Sequence, residues 1–219
     1  MSRLLQYFCY LPFSYRIILY VSNRSLRNAF KHLLTSVSVV FIVSYFPQVF
    51  AVTSINIQTN FYNVSGTDSN SIQKSLSRNG PIGQDGKRYH ALTSWKIDWK
   101  YSWVSSNINC QLSELEVSSD ITYLMPKLSS KTSLSKHMYN RWNRYYLALF
   151  KHEQQHKDYA VSAAKELDLK LNDLKLQPCA QLEKNISSQA QQILDKYKRL
   201  EQDFDRRTEH GIKQGILLP

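Results

Sequence analysis

KHMYNRWNRYYLALFKHEQQHKDYAVSAAKELDLKLNDLK, residues Lys136 to Lys175, decides the fold. It holds neither glycine nor proline, and Trp142, Tyr145, Leu149, His152, His156, Ala160, Ala163, Leu167, Leu171 and Leu174 recur at three- and four-residue steps. That spacing puts them on one face of a long helix, and both histidines lie on the stripe that must be buried. Proline next occurs at Pro178 and glycine at Gly211. A second helix, from about Ala180 to Arg207, is therefore expected to bury Leu182, Ile186, Ala190, Ile193, Tyr197, Leu200 and Phe204. A short turn at Gln177-Pro178-Cys179 makes the two helices antiparallel neighbours.

Upstream the period changes from 3.6 to two. Trp95-Lys96-Ile97-Asp98-Trp99-Lys100-Tyr101-Ser102-Trp103 alternates strictly, and Ile55, Ile57, Thr59 and Phe61 alternate with polar residues. Both read as half-buried strands. Ile108, Cys110 and Leu112 continue the pattern, which shifts phase at Ser113-Glu114 before Leu115 and Val117, as a β-bulge requires. A short helix is expected over Ser69–Arg78 and a loop over Asn79–Gly83. The expected class is α+β: a small antiparallel sheet covered by two long antiparallel helices.

The chain has 219 residues, 42% of them hydrophobic and 21% charged, which excludes general disorder. Its net charge of +11 is uneven, because the first 51 residues carry Arg3, Arg16, Arg24, Arg27 and Lys31 and no acid. The rest is mildly basic with acids interspersed, so a nucleic-acid partner is not expected. The same basic residues precede an apolar run, Leu33–Phe46, which has the length of the hydrophobic region of an export signal. Val49 and Ala51 satisfy a signal-peptidase site, so cleavage before Val52 is expected. The alternative is a retained N-terminal membrane anchor. Residues 1–51 are thus expected to be a signal peptide or N-terminal anchor, and 52–219 the working domain, secreted or periplasmic. After cleavage Cys110 and Cys179 remain as an even pair without metal-ligand spacing, and are expected to form a disulfide.

His152-Glu153-Gln154-Gln155-His156 matches H-E-x-x-H. Residues four apart lie one turn from each other, so both imidazoles reach one ion, and Glu153, rotated by about 100°, stands beside it as a proton acceptor. Two polar rings and a carboxylate would otherwise enter the core at a cost of several kcal/mol, which favours Zn2+ over simple packing. Catalytic zinc takes three protein ligands. The extended form with glycine and a third histidine fails, because Tyr159 and Ser162 occupy those positions. Glu166 and Glu183 are awkwardly placed. His210 is the better third ligand: it lies 32 residues beyond Pro178, while His152 and His156 lie 26 and 22 before it. Gly211 lets the backbone turn inward there, and Asp205 or Thr208 is then available to hold a ring nitrogen of a ligand.

Together with Phe204-Asp205-Arg206-Arg207-Thr208-Glu209-His210-Gly211, and following a Trp-rich sheet containing Cys110, the H-E-x-x-H resembles the bacterial secreted proteins described as predicted zinc-dependent proteases (domain of unknown function 922). That family pairs H-E-x-x-H with Y-D-x-x-T-x-H-G, and Phe204 stands where it has tyrosine. The resemblance spans about residues 55–215. It implies a zincin-like domain with ligands in His152, His156 and His210 and the general base in Glu153. The expected activity is zinc-dependent cleavage of a protein or peptide, including cell-wall peptide. The alternative from another class is a secreted, non-catalytic binding module whose metal staples the helices.

Overall fold

Strict alternation along Trp95–Trp103 builds one side of a long β-hairpin, and the rest of the molecule is arranged on it. A computed structural model describes residues 52–129 and 134–217. In chain order it has β1 (Val52–Val64), α1 (Ser69–Asn79), β2 (Leu92–Ser106), β3 (Asn109–Leu128), α2 (Lys136–Asn172), β4 (Gln177–Pro178) and α3 (Cys179–Thr208), followed by a 3-10 turn at Ile212–Gln214. The expectations of cleavage after Ala51 and of an export signal or anchor fall on residues outside the described ones.

The fold is α+β, and the sheet is mixed. Its order is β1-β3-β2, with β4 pairing the start of β3. β2 and β3 are antiparallel, whereas β1 runs parallel to β3 from Val52↔Glu116 to Val64↔Leu128. The fully antiparallel sheet expected from the sequence is thereby corrected. Val64 at the end of β1 and Leu92 at the start of β2 both lie near the end of β3, so α1 bridges that end of the sheet. Alternation specifies a strand but not its neighbour, and the bridge decides the direction. The expected bulge is present: Ser102 pairs Glu114 while Trp103 pairs Leu112, leaving Ser113 as the extra residue.

On one face of the sheet Ile97, Leu112, Leu115 and Val117 pack with Ala163, Ala164, Leu167 and Leu171 of α2 and Leu182, Ile186 and Ala190 of α3. A second cluster, at the α1 end, joins Val64, Ile72, Leu76, Met125 and Leu128 to Trp142, Tyr145 and Leu149. β1 follows its expected pattern only in part. Ile57 and Phe61 are each 53% exposed.

The helices start where short polar side chains satisfy their first N–H groups. Asp68 accepts from the Ser71 N–H at 3.0 Å and Ser135 from that of Met138 at 3.2 Å. Lys196 Nζ donates to Glu166 and Asp205 lies against His152, so the helices run antiparallel as expected. Cys110 and Cys179 are disulfide-bonded, fixing the start of α3 to the start of β3. Among the described residues no helix is long and apolar enough to cross a membrane.

Candidate metal centre

His152, Glu153 and His156 are all buried, at the level where α2 passes between β2 and the last turns of α3. The helix turns both imidazoles toward α3. Their Nε2 atoms stand 3.4 Å apart, and each is 3.1 Å from Oδ1 of Asp205. Among the described residues these three offer donor atoms within 4.8 Å of one another, the spacing of a metal-holding group. Phe204 fills the remaining side, stacked on the His152 ring at 4.8 Å and edge-on to His156 at 5.4 Å. A phenyl ring supplies that packing without a hydroxyl.

The opposite ring atoms are held as well. His152 Nδ1 donates to Gln214 Oε1 at 2.8 Å, and His156 Nδ1 faces Glu201 Oε1 at 3.5 Å. Glu201 in turn accepts from Trp95 Nε1 at 2.7 Å. Acceptors at both Nδ1 atoms place the ring protons there and leave the Nε2 lone pairs facing each other and a carboxylate. Three electron-rich atoms converging in this largely buried place could hold a cation. Without a metal, a proton takes that part. Burial alone would lower the pKa of His156, but its hydrogen bonds to Asp205 and Glu201 outweigh this and push it up to about 10. Burial likewise tends to raise the Asp205 carboxyl, yet the two histidines hold it well below the usual carboxylate range.

Glu153 is oriented by β2. Thr93 Oγ1 donates to its Oε2 at 2.6 Å and lies 3.2 Å from its backbone oxygen. Burial raises the Glu153 pKa, and the threonine bond opposes that rise.

The tail does not bring His210 into the donor group. Glu209, His210 and Gly211 all have positive φ, at 52°, 50° and 85°, and this left-handed bend swings Gln214 onto His152. His210 stays half exposed, its Nδ1 3.9 Å from Asp205 Oδ2 and its ring 5.1 Å from that of Tyr89. Glu166 is engaged elsewhere, by Lys196 and Tyr197. The bend depends on Gly211: a Cβ there would lie 2.0 Å from Ile216 Cδ1 and 3.3 Å from His152 Nδ1.

The family described as "Bacterial protein of unknown function (DUF922)" matches residues 59–211, the span from mid-β1 to the glycine beneath His152. The chain belongs to this family. Every donor of the centre and every residue holding a donor, Gln214 excepted, falls within the DUF922 span. Among curated proteins and among solved structures none matches the chain.

Proposed function

We propose that this DUF922 protein is an exported zinc-dependent hydrolase that cleaves peptide or related amide bonds. The observation that carries the proposal is the triangle of His152 Nε2, His156 Nε2 and Asp205 Oδ1, with a buried carboxylate next along the helix. Donors about 2.0–2.1 Å from a tetrahedral zinc ion lie about 3.3 Å from one another. The separations of 3.1, 3.1 and 3.4 Å fit that figure. Two imidazoles and one carboxylate form a donor set that catalytic zinc uses. Bound zinc supplies Lewis acidity, which polarises a scissile carbonyl and makes water acidic enough to attack it near neutral pH.

The remaining work belongs to side chains of the chain itself. Glu153 takes the proton of the attacking water and returns it to the leaving amine. Its raised proton affinity suits a group that must hold that proton between the two steps. Thr93 fixes one carboxylate oxygen, so the other is presented in one orientation. β2 ends the sheet order on this side, and its Thr93–Trp95 end touches both Glu153 and Glu201. An extended protein or peptide substrate, cell-wall peptide included, adding to this edge through backbone hydrogen bonds would pass the centre. The disulfide is consistent with export to an oxidising compartment.

The test compares the purified chain with Glu153→Gln for zinc content and for cleavage of casein or short peptides. The expected result is equal zinc in both and at least a 100-fold loss of cleavage in the variant. Equal cleavage removes Glu153 from its role. Zinc in both with cleavage in neither makes the ion a staple between the helices of a binding module.

A further inference from the structure

The sheet has two outer edges of opposite character. Beyond its Thr93–Trp95 end, the part proposed to take substrate, β2 carries Lys96, Asp98 and Lys100 and is distorted opposite the Ser113 bulge, devices that keep the rest of that edge from pairing with another chain. β1, VTSINIQTNFYNV, has no charge, no proline, no glycine and no register shift over its 13 residues. Among the described residues nothing pairs its outer side. Its end is capped, where Asn79 Nδ2 of α1 donates to the Asn63 carbonyl at 3.2 Å. Beside this open row of backbone groups Ile57 and Phe61 are each 53% exposed.

From this contrast we infer that β1 is a dimerisation edge, pairing antiparallel with β1 of a second copy to give one continuous sheet across a two-fold axis. The strip itself selects the occupant: it carries no charge, so it apposes no like charges when it meets a second copy of itself. Its sequence is also self-complementary. A register centred on Thr59 sets Ile57 of each copy against Phe61 of the other, a β-branched–aromatic cross-strand pair made twice by symmetry. Gln58 then faces Asn60, Asn56 faces Tyr62, and pairing stops where α1 occupies Asn63. A shift of one residue in this register loses the paired Ile57–Phe61 contacts.

In that register the two Thr59 Cα atoms lie about 4.5–5.5 Å apart, within disulfide range. The full chain is therefore made as Thr59→Cys in a Cys9→Ser background, oxidised, and run with and without reductant. A covalent dimer that reductant returns to a single chain is expected, while Gln73→Cys on exposed α1 stays single. Ile57→Cys mixed with Phe61→Cys should cross-link more than either alone. By light scattering the parent chain should have twice the mass of Thr59→Lys, with the same circular dichroism. A parent of single-chain mass, an uncross-linked Thr59→Cys, or Ile57→Cys joining itself as readily as Phe61→Cys overturns the proposal. None of these outcomes depends on whether the centre hydrolyses anything.

Discussion

Two stretches of α2 turn the same spacing inward and bury opposite chemistry. From Ala160 to Leu171 the stripe is alanine and leucine, fully buried against β3 and α3. From Leu149 to His156 it becomes two imidazoles and a carboxylate. The apolar stretch needs only volume, because hydrophobic burial is non-directional. The polar stretch needs particular partners, and it draws them from β2 (Thr93), α3 (Glu201 and Asp205) and the turn after it (Gln214). Periodicity locates the interior, then, while the demand for partners determines which other elements must converge on it.

The largest expected effect falls on the apolar end. Replacing Cys110 and Cys179 with serine reopens a loop with a sequence separation of 69, which should cost about 4 kcal/mol in urea unfolding. That loss should be the same with and without zinc. Next is the response of the polar end: zinc at about 100 times its Kd should add about 2.7 kcal/mol to the parent chain. His156→Ala and Asp205→Ala should lose this gain, and His210→Ala should keep it. A zinc response abolished at His210 but retained at Asp205 would transfer the third donor to the tail.

Much of this contrast is legible in the sequence, and the rest fails for identifiable reasons. Both long helices, α1, the bulge and the disulfide follow from period, breakers and cysteine count. Residue levels along the antiparallel pair favour Asp205 and Glu201 over His210. Counted from Pro178, His152 and His156 lie 26 and 22 residues before, and Asp205 and Glu201 lie 27 and 23 after. The carboxylates that meet the histidines are thus the better level match, and His210 is five residues further on. Asp205 was legible as a neighbour of the centre but not as one of its grouped donors, because an aspartate on a polar helix end resembles any solvated acid. Gln214 carried no signal: its approach requires three successive left-handed residues, and only Gly211 advertises one. The direction of β1 was equally silent, since alternation is the same in parallel and antiparallel pairs.

Gly211 is where the tail can be made to fail while the apolar end stays intact. Gly211→Ala forces a side chain into a φ of +85° and against Ile216. It should cost about 2 kcal/mol and pull Gln214 from His152. Weaker zinc affinity with an unchanged response to disulfide reduction would keep the two ends separate, whereas parallel losses in both would join them.

The smallest effect belongs to a polar cluster on the apolar half that, unlike the centre, meets water. Glu166 accepts from Lys196 Nζ at 2.6 Å and from the Tyr197 hydroxyl at 2.8 Å, with side chains 25% and 48% exposed for Glu166 and Lys196. The lysine hydrogen bond, ahead of the opposing desolvation and the tyrosine bond, lowers the Glu166 pKa below 4.5. A carboxyl depressed in the folded state stabilises the fold above its unfolded pKa and loses that contribution as pH falls through its folded value. Solvent screening holds the amount to about 0.5 kcal/mol. Glu166→Gln should therefore be less stable than the parent near pH 7 by that small amount, and the gap should close as pH is lowered through the carboxylate range. A loss several times larger, or one that persists in acid, would mean that Glu166 acts as part of the buried interior, and the boundary between the two halves of α2 would have to be redrawn.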